Sequence, residues 1–441
     1  MSWDVVVRTG DNDDYAHVGK GGPLLDISFD RQEGPFLARE SVLGKIMHIL
    51  GAIPEAPACD LLRAAIAVYS ADLLISRRYS TDGWTRYINV YLPVTALAVW
   101  QDAEPVLTKL LSFLSGDLWQ LFFRQASSAQ KRQTRQIENP PEVVSLFSGG
   151  LDSLIGTIDL LSGGKKVALV SHHGGGSTPG FQNMLVECLR AEYDEQIVPF
   201  QFYVLPPQVS ITASAQNNED TTRTRSFLFF ALGIAVADAL GIDTPLYVAE
   251  NGLISLNVPL TSARLGSCST RTTHPHYIAL YRELLEVLNL AHPINFDYRF
   301  KTKGEMIREC RNQDMLRKAL PLSMSCAHPD NRRHEHLPPG GHCGYCFPCI
   351  IRKAAVFESS MPDAEYDHDI FGLPPLSRSD KGKDLRAMEM ALERFSQRGE
   401  KKAVFDVLSS GPIPPDELSQ YVEVYCRGMK ELASFLRRNK L

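Results

Sequence analysis

The 441-residue sequence has no apolar run long enough to cross a bilayer, no excess of positive charge and no internal repeat. Its longest largely apolar run, residues 226–237, ends at Asp238 and falls short of the about 20 residues that a transmembrane helix needs. Lys plus Arg number 46 and Asp plus Glu number 51, so the formal net charge is −5. Proteins that bind long nucleic acids by charge alone are basic, so this balance disfavours direct nucleic-acid binding.

The first residues also lack the basic segment followed by an apolar stretch that marks a secretory signal. Nine cysteines without such a signal are typical of a reducing compartment, where thiols stay free or bind metal. We therefore expect a cytoplasmic protein with no membrane partner. Hydrophobic residues at 44% and charged residues at 22% are typical of a folded globular chain.

The pattern of apolar residues divides the chain into three regions. Residues 1–138 contain short strand patterns and two helical patterns, at 59–76 and 105–125, which predict an N-terminal α+β domain. Residues 142–361 alternate short apolar strands with helices, which predicts an α/β domain with a parallel sheet covered on both faces. Residues 362–441 are charged and carry helical patterns, which predict a C-terminal helical region.

A glycine-rich segment, SGGLDS at residues 148–153, directly follows the predicted strand 143–147. Glycines let the backbone N–H groups approach an anion, and the following helix directs its positive end at the same point. The carboxylate of Asp152 repels phosphate, so it is better suited to a metal ion or to bracing the loop. The GxxxxGK[ST] pattern of the common P-loop is absent, and a plain strand-to-helix turn is the alternative interpretation. The candidate nucleotide-binding residues here are Ser148, Gly149, Gly150, Leu151, Asp152 and Ser153.

The end of the second predicted strand, residues 167–171, is a further candidate wall of the site. In such sheets, ligands sit beyond the carboxyl ends of the strands. Ser171 and His172 stand at that position and are therefore candidates for nucleotide contact. A loop without function is the alternative.

Four cysteines, Cys326, Cys343, Cys346 and Cys349, form a C-x16-C-x2-C-x2-C pattern. Thiolates at two-residue spacing can turn onto one Zn²⁺, and four of them close a tetrahedral site with no open position. Such a zinc ion would hold structure and do no chemistry. A redox dithiol or an iron–sulfur cluster is the alternative.

The glycine-rich segment resembles the pyrophosphate loop of the PP-loop ATPases, the adenine nucleotide alpha hydrolases. Together with the four cysteines, it resembles the 7-cyano-7-deazaguanine synthase (QueC) family over residues 142–358. Residues 302–307 (TKGEMI) are similar to the family's TK-x-E-hydrophobic stretch, and residues 323–326 (SMSC) are similar to its approach to the first cysteine. Arg225 stands where the family often has an Arg–Asn pair, although Ser226 replaces the Asn.

The sequence also departs from the biosynthetic members of that family. Residues 172–176 (HHGGG) replace an aromatic–Gly–Gln–Arg–His stretch, and residues 250–259 replace an Asp-rich one. The long front region and the charged tail are extra. In these respects the chain is most similar to the QueC-like proteins of bacterial anti-phage systems, of the QatC type in the Qat system.

The resemblance implies a Rossmann-like fold and an ATP-dependent carbon–nitrogen ligase that uses Mg²⁺. Such an enzyme adenylates 7-carboxy-7-deazaguanine or a near relative and releases pyrophosphate. Ammonia, or an amine of a partner protein in a defence system, then displaces AMP, giving an amide, a nitrile or a deazaguanine-modified partner. Asp152, Lys303 and Arg225 are the candidate catalytic residues, and Glu250, Asn251 and Arg271 are the candidate substrate-binding residues.

Two other functions are compatible with the sequence. One is another PP-loop enzyme, such as a tRNA-modifying thiolase or ligase, although the acidic balance and the closed cysteine spacing disfavour it. The other is a non-catalytic nucleotide-binding subunit of a defence complex. The intact loop residues disfavour the second.

Overall fold

The computed structural model describes residues 2–10, 13–19, 22–29, 37–126, 138–207, 219, 221, 223–260, 271–330, 336, 338, 340–357, 359–372 and 376–438. It is a mixed α/β structure with two sheets. None of the described helices is long and apolar enough to cross a membrane. The strands are β1 Ser2–Thr9, β2 Leu24–Phe29, β3 Arg39–Glu40, β4 Tyr87–Val94, β5 Leu118–Gln125, β6 Val143–Leu146, β7 Val167–His173, β8 Ile197–Leu205, β9 Leu246–Tyr247 and β10 Ile294–Asn295. The helices are α1 Val42–Leu50, α2 Ala56–Leu74, α3 Leu97–Ser115, α4 Leu151–Ser162, α5 Thr178–Tyr193, α6 Arg225–Leu240, α7 Gly252–Leu256, α8 Pro275–Val287, α9 Lys303–Glu309, α10 Gln313–Ala319, α11 Phe347–Phe357, α12 Lys383–Arg398, α13 Ala403–Leu408 and α14 Leu418–Arg438.

The described strands form two sheets. The first has the order β2-β1-β4-β5 and is wholly parallel. The second has the order β10-β9-β6-β7-β8-β3, and its strands are parallel except for the short edge strand β3, which pairs antiparallel with β8. The prediction of a parallel sheet with intervening helices is confirmed for the middle of the chain.

Helices fill the space between the two sheets. One hydrophobic core takes in residues of both sheets together with α2, α3, α6 and α8, and α2 packs on α6 while α3 packs on α8. The second sheet divides its side chains between two cores, because successive residues of a strand point to opposite faces. On β6, Val144 faces this shared core, whereas Val143 faces a second core with α4, α5, α9 and α10.

The C-terminal helices α12, α13 and α14 form a third core with α7 and α11. This agrees with the predicted helical region at the end of the chain. The shared core between the sheets links the front region to the middle one, and the division into separate domains stays a prediction.

The front region corrects two predictions. The sequence predicts a helix over 105–125, but α3 begins at Leu97, runs through Pro105 and ends at Ser115. Gly116 ends it in a left-handed conformation (φ 74°), and residues 118–125 form β5, whose first residues alternate between exposed and buried. Because α3 connects the parallel neighbours β4 and β5, the region is parallel α/β and not the predicted α+β arrangement.

The strand order places the glycine-rich loop at the centre of the second sheet. From β6 the chain moves outward to β7 and β8 on one side, and it returns to β9 and β10 on the other. The point where the order reverses lies beside β6, and ligands of open parallel sheets bind in the crevice at such a point. The loop that follows β6 is therefore placed where a ligand site is expected.

Candidate functional site

The loop between β6 and α4 turns sharply at Gly149, whose φ is 84°. A Cβ atom there would lie 3.2 Å from Cγ of Gln182, so both the conformation and the space suit glycine. The Ser148 hydroxyl accepts a hydrogen bond from the Gly150 N–H at 3.2 Å, and the Ser153 hydroxyl donates to the Gly150 carbonyl at 2.9 Å. Both serines predicted for this loop thus hold its shape.

Asp152, in the first turn of α4, is held by two predicted site residues. Its Oδ2 accepts hydrogen bonds from the backbone N–H of Asn251 at 3.2 Å and from the side-chain amide of Asn251 at 2.6 Å. Its Oδ1 accepts from the ammonium of Lys303, the first residue of α9. Asn251 also begins α7, where its Oδ1 accepts from the Ile254 N–H at 3.1 Å. The carboxylate is therefore oriented by three donors before any ligand arrives.

A cavity of about 370 Å³ opens in front of the loop. This volume is in the range of small-molecule sites. The wall combines two cationic side chains, Arg225 and Lys303, with two carboxylates, Asp152 and Glu250. Cys326 of the predicted metal site lines it, and so do eight of the residues predicted for nucleotide binding, substrate binding or catalysis: Ser148, Gly150, Leu151, Asp152, Ser153, Arg225, Glu250 and Lys303.

Arg225 and Glu250 differ in how they are held. Arg225 is the exposed first residue of α6, and no described residue forms an ion pair with its guanidinium. Glu250 accepts a hydrogen bond from the hydroxyl of Thr273, which also lies 2.7 Å from the hydroxyl of Ser255. Arg225 thus presents its charge to the cavity, whereas Glu250 is tied to the segment that follows residue 270.

Five residues predicted for nucleotide or substrate binding do not line this cavity: Gly149 and Asn251 support residues that do, whereas Ser171, His172 and Arg271 lie away from it. Ser171 is buried and donates to the Phe147 carbonyl at 2.8 Å, so it supports the end of β6 from behind. His172 points to the other face of the sheet, because neighbours on a strand alternate, and packs edge-on against Tyr69 with ring centres 5.7 Å apart. Arg271 lines a separate cavity. Ser171, His172 and Arg271 therefore do not line the loop cavity, and their contact with a nucleotide or substrate stays a prediction.

Burial decides the charge state of His172. The ring is 3% exposed, and this burial, reinforced by the nearby Arg225 charge, lowers its pKa to about 3. The imidazole is neutral at physiological pH. It serves as a packing residue behind the site and not as an acid near the loop.

The four predicted cysteines form one cluster. The sulfur atoms of Cys326, Cys343, Cys346 and Cys349 all lie within 4.8 Å of one another, and those of Cys326 and Cys346 are 3.9 Å apart. Four thiolates around Zn²⁺ at about 2.3 Å have sulfur atoms about 3.8 Å apart, so the cluster can bind one metal ion such as zinc. Gly344, with φ 83°, makes the turn between two of the cysteines.

Hydrogen bonds inside the cluster favour thiolate at one sulfur. The other three thiols hold the pKa of Cys326 well below its ordinary value. The sulfur of Cys326 also accepts from the backbone N–H groups of His328 at 3.3 Å and Cys343 at 3.4 Å. Such N–H···S contacts are what a metal-bound thiolate uses for stabilisation.

The cysteine cluster and the glycine-rich loop share a wall. The Met324 N–H donates to the Gly149 carbonyl at 2.8 Å, and the Ser325 hydroxyl accepts from the Leu151 N–H at 3.3 Å. Arg352, fully buried on α11, donates to Ser323 and to Ser325. The segment that leads into the first cysteine therefore braces the loop.

Sequence reasoning missed several residues of the site. Gln182 donates to the Ser148 carbonyl at 3.3 Å, and Thr178 and Phe181 at the start of α5 line the cavity. These residues lie on an ordinary amphipathic helix, so no sequence pattern indicates that they belong to a site. The position of Ser325 next to Cys326 could have indicated a role for it. Its contact with the loop, however, depends on how the chain folds back.

A scan against protein-family models, a search of the curated proteins and a search of the solved structures each return no match to this chain. Family membership is therefore not established by comparison. The observations that bear on function are the strand order, the loop after β6, the cavity and the four-cysteine cluster.

Proposed function

We propose that this chain is an ATP-dependent ligase of the 7-cyano-7-deazaguanine synthase type. It adenylates a 7-deazaguanine carboxylate in the cavity in front of the loop and passes the acyl group to an amine. The observation that carries the proposal is the placing of Asp152 and Lys303 beside the glycine-rich loop, at the point where the strand order reverses.

The chemistry needs an activated acid, because a carboxylate is a poor acyl electrophile. A carboxylate oxygen of the substrate attacks the α-phosphorus of ATP, the bond to the β-phosphate oxygen breaks, and pyrophosphate leaves. The amine nitrogen then forms a bond to the acyl carbon, loses a proton and displaces AMP. The product is an amide, and a second activation followed by dehydration would give a nitrile.

The residues of the cavity are suited to the charges of this reaction. The loop N–H groups and the start of α4 favour phosphate oxygens, and Arg225 and Lys303 add positive charge. Asp152 and Glu250 are the carboxylates that line the cavity, and oxygen donors of this kind suit Mg²⁺. When bound, Mg²⁺ neutralises phosphate charge, and Asp152 would hold it.

The substrate end of the cavity is expected near Glu250. Its carboxylate can accept hydrogen bonds from the N–H groups of a guanine-like base. Asn251 contributes by fixing Asp152, and its side-chain amide is fully buried. This division places the phosphates at the loop and the base toward Glu250.

A role in bacterial anti-phage defence is part of the proposal. It rests on the similarity to QueC-like defence proteins of the QatC type and on the regions that flank the α/β core. In that setting, the amine belongs to a partner protein and the product is a deazaguanine amide on that partner. The closed set of four cysteines supports this ligase over a thiolase, because a sulfur relay needs a reactive thiol.

The test is to incubate the purified chain with ATP, Mg²⁺ and 7-carboxy-7-deazaguanine, with and without ammonium, and to follow AMP, pyrophosphate and the deazaguanine product by mass spectrometry. The expected result is AMP that depends on the acid, together with a mass for the adenylate or the amide. Asp152→Asn and Lys303→Met should each lower AMP formation by at least about tenfold, because each removes a charge from the loop site.

Lys165→Met is the matched control, because Lys165 is an exposed lysine paired with Glu142 outside the cavity. It should keep the wild-type rate. The proposal is wrong if AMP formation is equal in the wild type and in both loop variants. It is also wrong if no acid gives AMP when a partner amine is present.

A further inference from the structure

A second cavity, of about 150 Å³, lies apart from the glycine-rich loop. Segments from all three regions of the chain form it, with Trp84 and Phe113 from the front, Arg223 and Arg271 from the middle and Ser410 from the end. Among the described residues that line it, none is Asp or Glu. Its wall is therefore rich in donors and carries positive charge.

Each arginine lies over an aromatic ring. The guanidinium carbon of Arg223 is 4.6 Å from the ring centre of Trp84, and that of Arg271 is 4.4 Å from the ring centre of Phe113. Contacts of this kind help to fix the position of a guanidinium, and the Nη1 group of Arg223 also donates to the Ser115 carbonyl. Both guanidinium groups are thus held in place on the wall of the cavity.

Donors converge near Gly116. A Cβ atom on this glycine would lie 3.1 Å from Nη1 of Arg223 and 3.8 Å from Nε1 of Trp84. The indole N–H of Trp84 is a donor with no acceptor capacity. Absence of a side chain at Gly116 keeps this corner of the cavity open.

The acidic residues behind the wall are already engaged. Asp117 accepts hydrogen bonds from the side chains of Arg77 and Arg86, including 2.8 and 2.6 Å contacts. Asp72 accepts from Arg86 and from Thr224. They pair with Arg77 and Arg86 and also act on the charge of Arg223, but neither forms an ion pair with Arg271.

Arg271 has no ion pair with any described carboxylate; its guanidinium donates to the Phe113 carbonyl at 2.7 Å. Burial lowers the pKa of Arg271, and burial together with the charges of Arg77 and Arg271 lowers the pKa of Arg223 to about 10. A guanidinium in low-dielectric surroundings is stabilised by an anion that accepts from its fork.

We propose that this second cavity is a binding site for a small oxyanion, a phosphate or carboxylate group, held by the guanidinium of Arg271 on the wall that it shares with Arg223. The site is independent of the adenylation proposed above. Thr273, which donates to Glu250 of the first cavity, stands two positions after Arg271. The segment that carries Arg271 therefore also contacts the first cavity.

The test is isothermal titration of the full chain with inorganic phosphate and, separately, with acetate, at constant ionic strength. The expected result is saturable binding of at least one of the two ions. Phosphate binding that Arg271→Gln weakens assigns a phosphate group to this cavity, and acetate binding alone, weakened in the same way, assigns a carboxylate. If neither ion binds, the proposal is overturned.

Arg271→Gln should weaken this binding by at least about tenfold, because it removes a charged donor pair. Arg271→Lys keeps the charge but loses the planar pair of donors. Its affinity for the ion should lie between those of the wild type and Arg271→Gln. Arg282→Gln is the matched control, since Arg282 also lies on a phenylalanine ring and donates to one backbone carbonyl, but it does not line the cavity.

A variant of the first cavity assigns the binding to one site or the other. Arg225→Gln removes a charge from the loop cavity alone, so binding at the second cavity should persist in it, whatever happens to binding at the loop. Loss of binding in Arg225→Gln with full binding in Arg271→Gln would place the ion at the loop and overturn the proposal.

Discussion

The hydroxyl of Ser325 accepts a hydrogen bond from the N–H of Leu151 at 3.3 Å, although the two residues are 174 positions apart in the chain. Leu151 is the first residue of α4, and Ser325 precedes the first cysteine of the metal cluster. The same hydroxyl lies 3.4 Å from Nη1 of the buried Arg352, on the helix that carries Cys349. One serine thus connects the loop to the metal centre.

Replacing Ser325 should loosen the loop without removing the metal. In Ser325→Ala, the Leu151 N–H loses its acceptor, so amide hydrogen exchange in the segment 148–153 should become faster while the zinc content stays the same. Mass spectrometry of peptides from exchanged protein measures this. Ser162→Ala, which removes an exposed hydroxyl bonded to Tyr193, is the control, and equal exchange in both variants would contradict the contact.

The turn at Gly149 should not tolerate a side chain. Gly149→Ala puts a Cβ in the left-handed region and 3.2 Å from Cγ of Gln182, so we expect a loss of about 1–2 kcal/mol in the free energy of unfolding. Urea denaturation measures it.

Gly180→Ala is the matched control for that substitution. Gly180 lies in α5, and a Cβ there would meet nothing within 4 Å. Alanine is a better helix former, so stability should be unchanged or higher by about 0.5 kcal/mol. A Gly149→Ala protein as stable as Gly180→Ala would show that the loop has another conformation.

The four-cysteine cluster should bind one zinc ion per chain. Cys349→Ser leaves three thiolates, so the protein should lose zinc and several kcal/mol of stability, since metal binding contributes directly to folding. Elemental analysis of the purified protein, together with thermal unfolding, measures both. Cys188→Ser, at a half-buried cysteine of α5, should retain its zinc. Unchanged zinc content in Cys349→Ser would rule out a four-thiolate site.

Stability should fall on acidification because of His172. Its pKa is about 3 in the folded chain, against 6.5 for an ordinary histidine, so below pH 6.5 the unfolded state takes up a proton that the folded state does not. The free energy of unfolding should then decrease by up to about 1.4 kcal/mol per pH unit as the pH falls from 6.5 toward 3.

The variant His172→Gln should make that pH dependence shallower. Urea denaturation at about pH 7 and about pH 5 gives the slope for each protein. His48→Gln, at an exposed histidine of α1, should keep the wild-type slope. Identical slopes in all three proteins would show that His172 is not buried neutral.

Local patterns predicted much of the second sheet. The strand 143–147, the turn at 148–150 and the helix after it are specified by neighbouring residues, and the structure has them as β6, the loop and α4. The cysteine spacing likewise predicted the cluster, because two-residue gaps bring thiols together within a single turn. The helix predicted over 105–125 was wrong, since Gly116 divides the segment into α3 and β5.

Contacts between distant segments could not be predicted in this way. Asp152 meets Asn251 and Lys303, which lie 99 and 151 positions further along the chain, only because β6 lies next to β9. His172 faces away from the loop because of its place on β7, and Arg271 belongs to a second cavity because its segment packs on Phe113.

The sequence by itself determined the alternation of strands and helices, the glycine-rich turn and the cysteine set, since each depends on conformation and spacing over a few residues. The tertiary structure alone decided which side chains share a cavity. Strand order and the face on which a residue emerges result from packing whole elements against one another, and no short stretch of sequence contains that information.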